Sequence, residues 1–258
     1  MTVKISYKNN IIKNIPTNYV IFVEENFNIS DLKKKISKNE LTFVLDLLKS
    51  KDLKKKVIVL DINSKKKIIL VSLKKNIKAV DAENLGAKLY KITLDTKYNQ
   101  FNINSESINS KLKSLIGHFV HGFVLKSYQF EKYKSKKSNK NNKSIYITGK
   151  NKPSLKDQIK FKAIEQGTFY TRDLVSEPGN VLHPDEYAKR LSALKKDGLR
   201  ITIYDEKKLK KLGMNTLLGV GQGSVRGSYL VTIEWNGSNK KSKPLAFVGK
   251  GVCFDTGG

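Results

Sequence analysis

The stretch ELTFVLDLLKSKDLKKKVIVLDINSKKKIILVSL, residues 40–73, changes its hydrophobic period partway along. Leu41, Val44, Leu45 and Leu48 recur at i, i+3, i+4 and i+7. That spacing makes one apolar face of a helix over Glu40–Lys49, with Asp46 and Lys49 left outside it. Beyond the helix, Val57–Leu60 and Ile68–Leu73 are short β-branched runs that suit strands. Helix alternating with strand is the rhythm of an α/β domain. Working outward, Tyr19–Val23 reads as a further strand and Ile145–Thr148 as a closing one. Ile108, Leu112, Leu115, Ile116 and Phe119 predict a second long helix across Ser107–Phe130. The basic tract KYKSKKSNKNNK, Lys132–Lys143, has no hydrophobic period and is expected to be a solvated loop near a domain boundary.

The second half restarts with a helix over Leu155–Val175, which Glu177-Pro178-Gly179-Asn180 ends as a turn. Pro184 at a first turn, with Asp185 and Glu186 behind it, predicts a helix to about Lys196, because proline presets φ and carboxylates favour the positive helix end. Arg200–Tyr204 alternates as a strand, Asp205–Lys211 is a short helix, and Tyr229–Trp235 and Pro244–Val248 read as strands. The expected fold class is α/β: an amino-terminal α/β domain over residues 1–150, then the beginning of an α/β/α domain over residues 151–258. The sequence stops at Gly257-Gly258 after a strand and a glycine-flanked loop, which reads as a truncation.

Composition narrows the function classes. A chain of 258 residues with 39% hydrophobic and 28% charged residues suits a packed fold. Its apolar runs fall short of the roughly 20 residues of a membrane span, and its first residues lack a secretory signal, so a cytoplasmic protein with no membrane partner is expected. The single cysteine, Cys253, excludes an intramolecular disulfide and any cysteine-cluster metal site. Fifty basic against 23 acidic residues give +27, which suits an anionic partner such as nucleic acid. Only four of the fifty are arginine, however, and lysine gives screened, sequence-blind phosphate contacts. Residues 1–150 carry net +19 and residues 151–258 net +8. Much of the charge is expected to be a solvated face, with nonspecific nucleic-acid binding the rival role.

Chemistry concentrates in VGKGVCFDTGG, residues 248–258. Lys250 and Asp255 meet at a predicted strand end, where sites gather in open α/β sheets, and the flanking glycines let backbone approach a ligand or metal. Lys250 is followed by Gly251 and not by Ser or Thr, so the segment is not a phosphate-binding P-loop. Spacing alone favours a glycine-rich turn with a surface Lys–Asp pair.

Here the segment resembles the signature of the leucyl aminopeptidase, or cytosol aminopeptidase, family of metallopeptidases. The likeness extends upstream: Gly167 with YTRDLVSEPGNVL, residues 170–182, DEKKLKKLGM, residues 205–214, GVGQGS, residues 219–224, and YQFEKYK, residues 128–134, are all similar to family segments. The resemblance implies that residues 151–258 begin a catalytic domain. It further implies a two-metal aminopeptidase, usually a homohexamer, acting on peptide substrates with two divalent ions, manganese or zinc, with magnesium also used. By position in the motif, Lys250 would coordinate one metal and Asp255 would be shared between both. An amine ligates only when neutral, so a dication must displace its proton, and a carboxylate can bridge ions roughly 3.5–4 Å apart. The catalytic lysine and the remaining ligands of the family would lie beyond Gly258, so no catalytic residue is expected within this chain, and the chain alone is expected to be inactive.

Other suggestive residues have plainer readings. His118 and His121 stand three apart on a predicted helix without a third ligand and are expected to be satisfied on a helix face. His183 is expected to cap or turn before Pro184. Gly219, Gly221 and Gly223 imitate a dinucleotide fingerprint but lack its spacing and its acidic partner, so a tight structural loop is expected. Trp235 and Tyr229 read as strand packing, and Cys253 as buried packing.

Overall fold

The computed structural model describes residues 3–9, 18–29, 33, 36–64, 66–94, 99–136, 142–238 and 243–253. They form two compact units that divide between Thr171 and Arg172. The first is built on a six-stranded sheet ordered β1-β6-β5-β2-β4-β3. Its strands are β1 (Val3–Lys8), β2 (Asn18–Glu24), β3 (Val57–Asp61), β4 (Lys67–Leu73), β5 (Gln100–Asn104) and β6 (Lys143–Thr148). Neighbours run parallel except β3, an antiparallel edge strand on β4. The mixed α/β class read from the helix and strand alternation is the observed one.

Period-two alternation sorts β2 between two cores. Tyr19, Ile21 and Val23 pack with Val44 and Leu48 of α1 (Lys38–Lys49), while Val20 and Phe22 pack on the opposite side. That side is covered by α2 (Ala79–Ile92) and α3 (Ser114–Lys126), through Leu85, Leu89, Ile116, Phe119 and Phe123. Strand β4 is covered on both faces, which is why Ile68–Leu73 is apolar almost without a break. Helix α1 begins in a capping box: the Glu40 N–H donates to Ser37 Oγ at 3.2 Å and the Ser37 N–H to Glu40 Oε2 at 3.0 Å.

The helix predicted over Ser107–Phe130 is shorter than expected. Two 3₁₀ turns, Ser105–Ser107 and Ser110–Leu112, stand where its first turns were read, and α3 ends at Lys126. Asn104 and Asn109 accept from the N–H groups of Glu106 and Lys111 at 3.1 and 3.0 Å, local bonds that compete with the helix ladder. Ser107 Oγ also accepts from the Phe22 N–H at 2.9 Å, holding this turn against the sheet. At the other end, Ser127 Oγ donates to the Val124 carbonyl at 2.6 Å.

Helices α2 and α3 meet backbone to backbone. A Cβ added at Gly86 would lie 1.8 Å from the Phe119 carbonyl oxygen, and one at Gly122 would lie 1.9 Å from that of Glu83. On α3, Gly117 leaves room for the ring of Phe161 from α4 (Leu155–Ser176), which also contacts the rings of His118 and His121 at 5.0 and 5.1 Å. His118 Nδ1 pairs with Glu83 at 2.7 Å and His121 Nδ1 with Glu165 at 3.0 Å, the second pair buried. Both histidines are therefore occupied on helix faces. These contacts tie the first part of α4 to the first unit, and the compact units part at Thr171/Arg172. Buried Lys143 donates to the Thr93 carbonyl at 2.7 Å, at the carboxyl end of α2, where a cation suits the helix dipole. Burial lowers its pKa from the ordinary lysine value.

The second unit contains the end of α4, then α5 (Pro184–Ser192), β7 (Arg200–Tyr204), α6 (Glu206–Lys211), α7 (Asn215–Gly221) and β8 (Leu230–Glu234). Strands β7 and β8 pair antiparallel. The helix opened by Pro184 tightens into a 3₁₀ turn at Ala193–Asp197 and ends at Gly198, whose φ of 85° suits glycine. Pro244–Val248 forms no strand among the described residues, because no ladder partner reaches it. Gly219 and Gly221 lie in α7 and not in a loop. Trp235 is 79% exposed just past β8, with Gly237 against its ring, and does not pack in a core. No helix of the described residues is long and apolar enough to cross a membrane.

Two outcomes follow for chemical denaturation of the chain. Gly86→Ala and Gly122→Ala should each cost about 3 kcal/mol or more, since a methyl group must displace backbone. Gly167→Ala, with nothing within 4 Å of the added carbon, should gain about 0.5–1 kcal/mol. Equal urea midpoints for the three would contradict the close crossing. For the buried pair, Glu165→Leu alone should cost about 3 kcal/mol, and His121→Leu with Glu165→Leu should recover most of it, because the cost is that of stranding one partner.

Candidate metal centre

Helix α5 is the organising element of the second unit. The Glu177-Pro178-Gly179-Asn180 turn ends α4, with the Val181 and Leu182 N–H groups both donating to the Pro178 carbonyl at 2.9 Å. His183 stands at the N-cap of α5, where its Nδ1 pairs with Asp185 and lies 3.4 Å from the Glu186 nitrogen. The expected capping role of His183 is the one observed. Arg190 reaches Glu177 at 2.9 Å and Glu186 at 3.0 Å, joining the turn to the helix. Both carboxylates favour the charged guanidinium and raise its pKa. Glu186 is held below its ordinary value, first by its hydrogen bond from Arg190 and against the opposing effect of burial.

The chain returns to α5 twice from a distance. Arg226 places Nη1 3.1 Å from Asp185 Oδ2. Burial opposes ionisation of Asp185, but the His183 hydrogen bond, a backbone bond and the charges of His183 and Arg226 outweigh it and lower its pKa. The second return is the glycine-flanked segment itself. A Cβ built on Gly251 would stand 3.1 Å from Cε1 and 3.5 Å from Cδ1 of Tyr187, so the backbone there lies against the ring edge. Cys253 is half-buried, and burial, then the charge of Asp185, pushes its thiol pKa up. It is less enclosed than buried packing would require.

Lys250 is exposed, and among the described residues no carboxylate lies within ion-pair distance of it. Asp255, with the rest of Phe254–Gly258, lies outside the described residues, so the structure does not show the two proposed ligands together. Among the described residues, no cluster of three or more His, Cys, Asp or Glu side chains is placed to hold a metal ion. The donor chemistry is that of part of a site: one accessible amine between glycines, and one carboxylate five residues on. The motif resemblance singled out Lys250 and Asp255 but not Tyr187, whose relation to this segment is long-range. Asp185 was legible only as an acid in a helix's first turn.

Against known proteins, the family described as the cytosol aminopeptidase family, catalytic domain, matches residues 169–258. A probable cytosol aminopeptidase of Phytoplasma mali is 47% identical over 150 residues, covering 55% of this chain and 30% of the relative. One from Agrobacterium fabrum is 46% identical over 146 residues, covering 54% and 29%. Among solved structures, a tomato leucine aminopeptidase mutant aligns with 99% of this chain and 55% of its own, at a TM-score of 0.75 and 20% identity. The bottromycin maturation enzyme BotP in complex with Mn covers 85% and 45%, at a TM-score of 0.64 and 16% identity. The structural likenesses establish the fold, and the chain spans about half the length of those structures and less of the curated relatives. From residue 169 onward, the chain is thus similar to the catalytic domain of the cytosol aminopeptidase family.

Proposed function

We propose that this chain is part of a metal-dependent aminopeptidase that removes amino-terminal residues from peptides. The observation that carries the reading is the family match across residues 169–258, which includes Lys250 and Asp255 in VGKGVCFDTGG. Lys250 would be a ligand of one divalent ion and Asp255 would be shared between two, manganese or zinc being the expected metals and magnesium a third. When bound, the ions would supply Lewis acidity toward a peptide carbonyl and a lowered pKa for water. The chain's own residues contribute an exposed amine free of carboxylate partners among the described residues and, beside it, glycines that admit close approach. Two donors fall short of the several that each ion needs, so the remaining ligands and the catalytic lysine belong to the part of the family's catalytic domain that this chain does not span. The chain alone is then inactive, and the complete enzyme is a homohexamer in the cytoplasm.

A leucyl chromogenic substrate with added manganese tests the reading. The chain should be silent, and the same chain continued through the coding sequence that follows it in its genome should hydrolyse the substrate. Lys250→Ala in the longer form should lower kcat/KM by more than about 100-fold, beyond the 10–100-fold expected of an outer-shell group. Failure of the longer form with every divalent metal would remove the peptidase reading. Binding of nucleic acid that weakens steeply between about 50 and 200 mM salt would then favour the basic-module alternative.

A further inference from the structure

We infer that the first turn of α5 seats the segment carrying Lys250, with Tyr187 as a positioning residue for that ligand position. The inference rests on the proposed metal-binding role of Lys250 and Asp255, but its geometry is independent of that role. Just before the segment, Phe247 and Val248 are 90% and 99% exposed, and Gly249 has nothing within 4 Å of a built Cβ. No strand pairing holds residues 243–253. Contact begins at Gly251, one residue after Lys250, where the backbone meets the Tyr187 ring, and half-buried Cys253 follows two residues on, its Sγ 3.8 Å from the Gly251 carbonyl.

The platform itself is well braced. The Tyr187 N–H donates to the His183 carbonyl at 2.9 Å, Asp185 is paired with His183 and Arg226, and Arg190 links Glu186 to Glu177. A rigid helix start therefore bears on an otherwise unsupported segment between the two ligand positions. Groups that hold ligands in place, without touching the metal, typically govern its affinity by 10–100-fold.

Cys253 is the chain's single cysteine and reports the seating without any metal. In the 258-residue chain, Tyr187→Ala should speed alkylation of Cys253 by iodoacetamide on the order of tenfold, as local opening becomes easier, while Tyr187→Phe, which keeps the ring, should match the parent. Gly251→Ala displaces the segment from its own side, leaves α5 intact, and should accelerate alkylation too. Unchanged rates in Gly251→Ala and in a folded Tyr187→Ala, judged by circular dichroism, would overturn the inference. Manganese titration of the longer form gives the second readout. Affinity weaker by about 10–100-fold in Tyr187→Ala and restored in Tyr187→Phe supports positioning, and unaltered affinity overturns it. If the parent binds no manganese while alkylation still responds to Tyr187→Ala, the ligand assignment fails and the seating stands.

Discussion

Backbone contact between α2 and α3 is the constraint on which the layering of the first unit depends. With no side chain at Gly86 or Gly122, the carbonyls of Phe119 and Glu83 occupy the space a Cβ would need. Phe119 and Phe123 are thereby set into the sheet side, where their rings meet Phe22 and Tyr90 edge to face at 5.2 and 5.1 Å. The remaining side of α3 is left to Gly117, His118 and His121, against which α4 brings Phe161 and Glu165. Helix α3 is thus enclosed, and its sequence accordingly lacks a polar face through Leu115–Val124.

The same enclosure explains what the sequence made legible. Helix α1 covers one face of the sheet and shows solvent the other, so a strict i, i+3, i+4, i+7 pattern located it to within a few residues. Helix α3 is apolar around most of its circumference, so periodicity could not mark its ends, which Asn104, Asn109 and Ser127 decide by local hydrogen bonds. Gly86 in α2 reads locally as a helix breaker although its use is interhelical packing. Pro244–Val248 has the composition of a strand, but a strand exists only where another chain segment completes its ladder. In the candidate site, Lys250 and Asp255 were singled out by their place in a segment that resembles the family signature. The support from Tyr187 depends on a contact spanning some sixty residues, which no local pattern encodes.

Charge follows a similar division between number and placement. The chain's excess of lysine gives it a net charge of +27, yet the charges that organise the fold are few. Buried Lys143 answers the carboxyl end of α2, and Glu165 answers His121. Arginine has a distinct use: Arg190 forks between two carboxylates, Arg226 meets Asp185, and Arg200 lies 4.0 Å from Glu234 across β7 and β8. These guanidiniums face carboxylates within the second unit.

The two glycines beside Lys250 do different physical work. Gly249 has open space around it, so its lack of a side chain widens the backbone freedom just before the lysine. At Gly251 a Cβ would meet the Tyr187 ring at 3.1 Å, tighter than ordinary contact, so its lack of a side chain eases the approach to the ring. The lysine therefore stands between a free joint and an anchored one. An amine so placed keeps the reach to meet a ligand while its backbone is held on one side, and that combination depends on the helix start at His183–Tyr187 as much as on the motif itself.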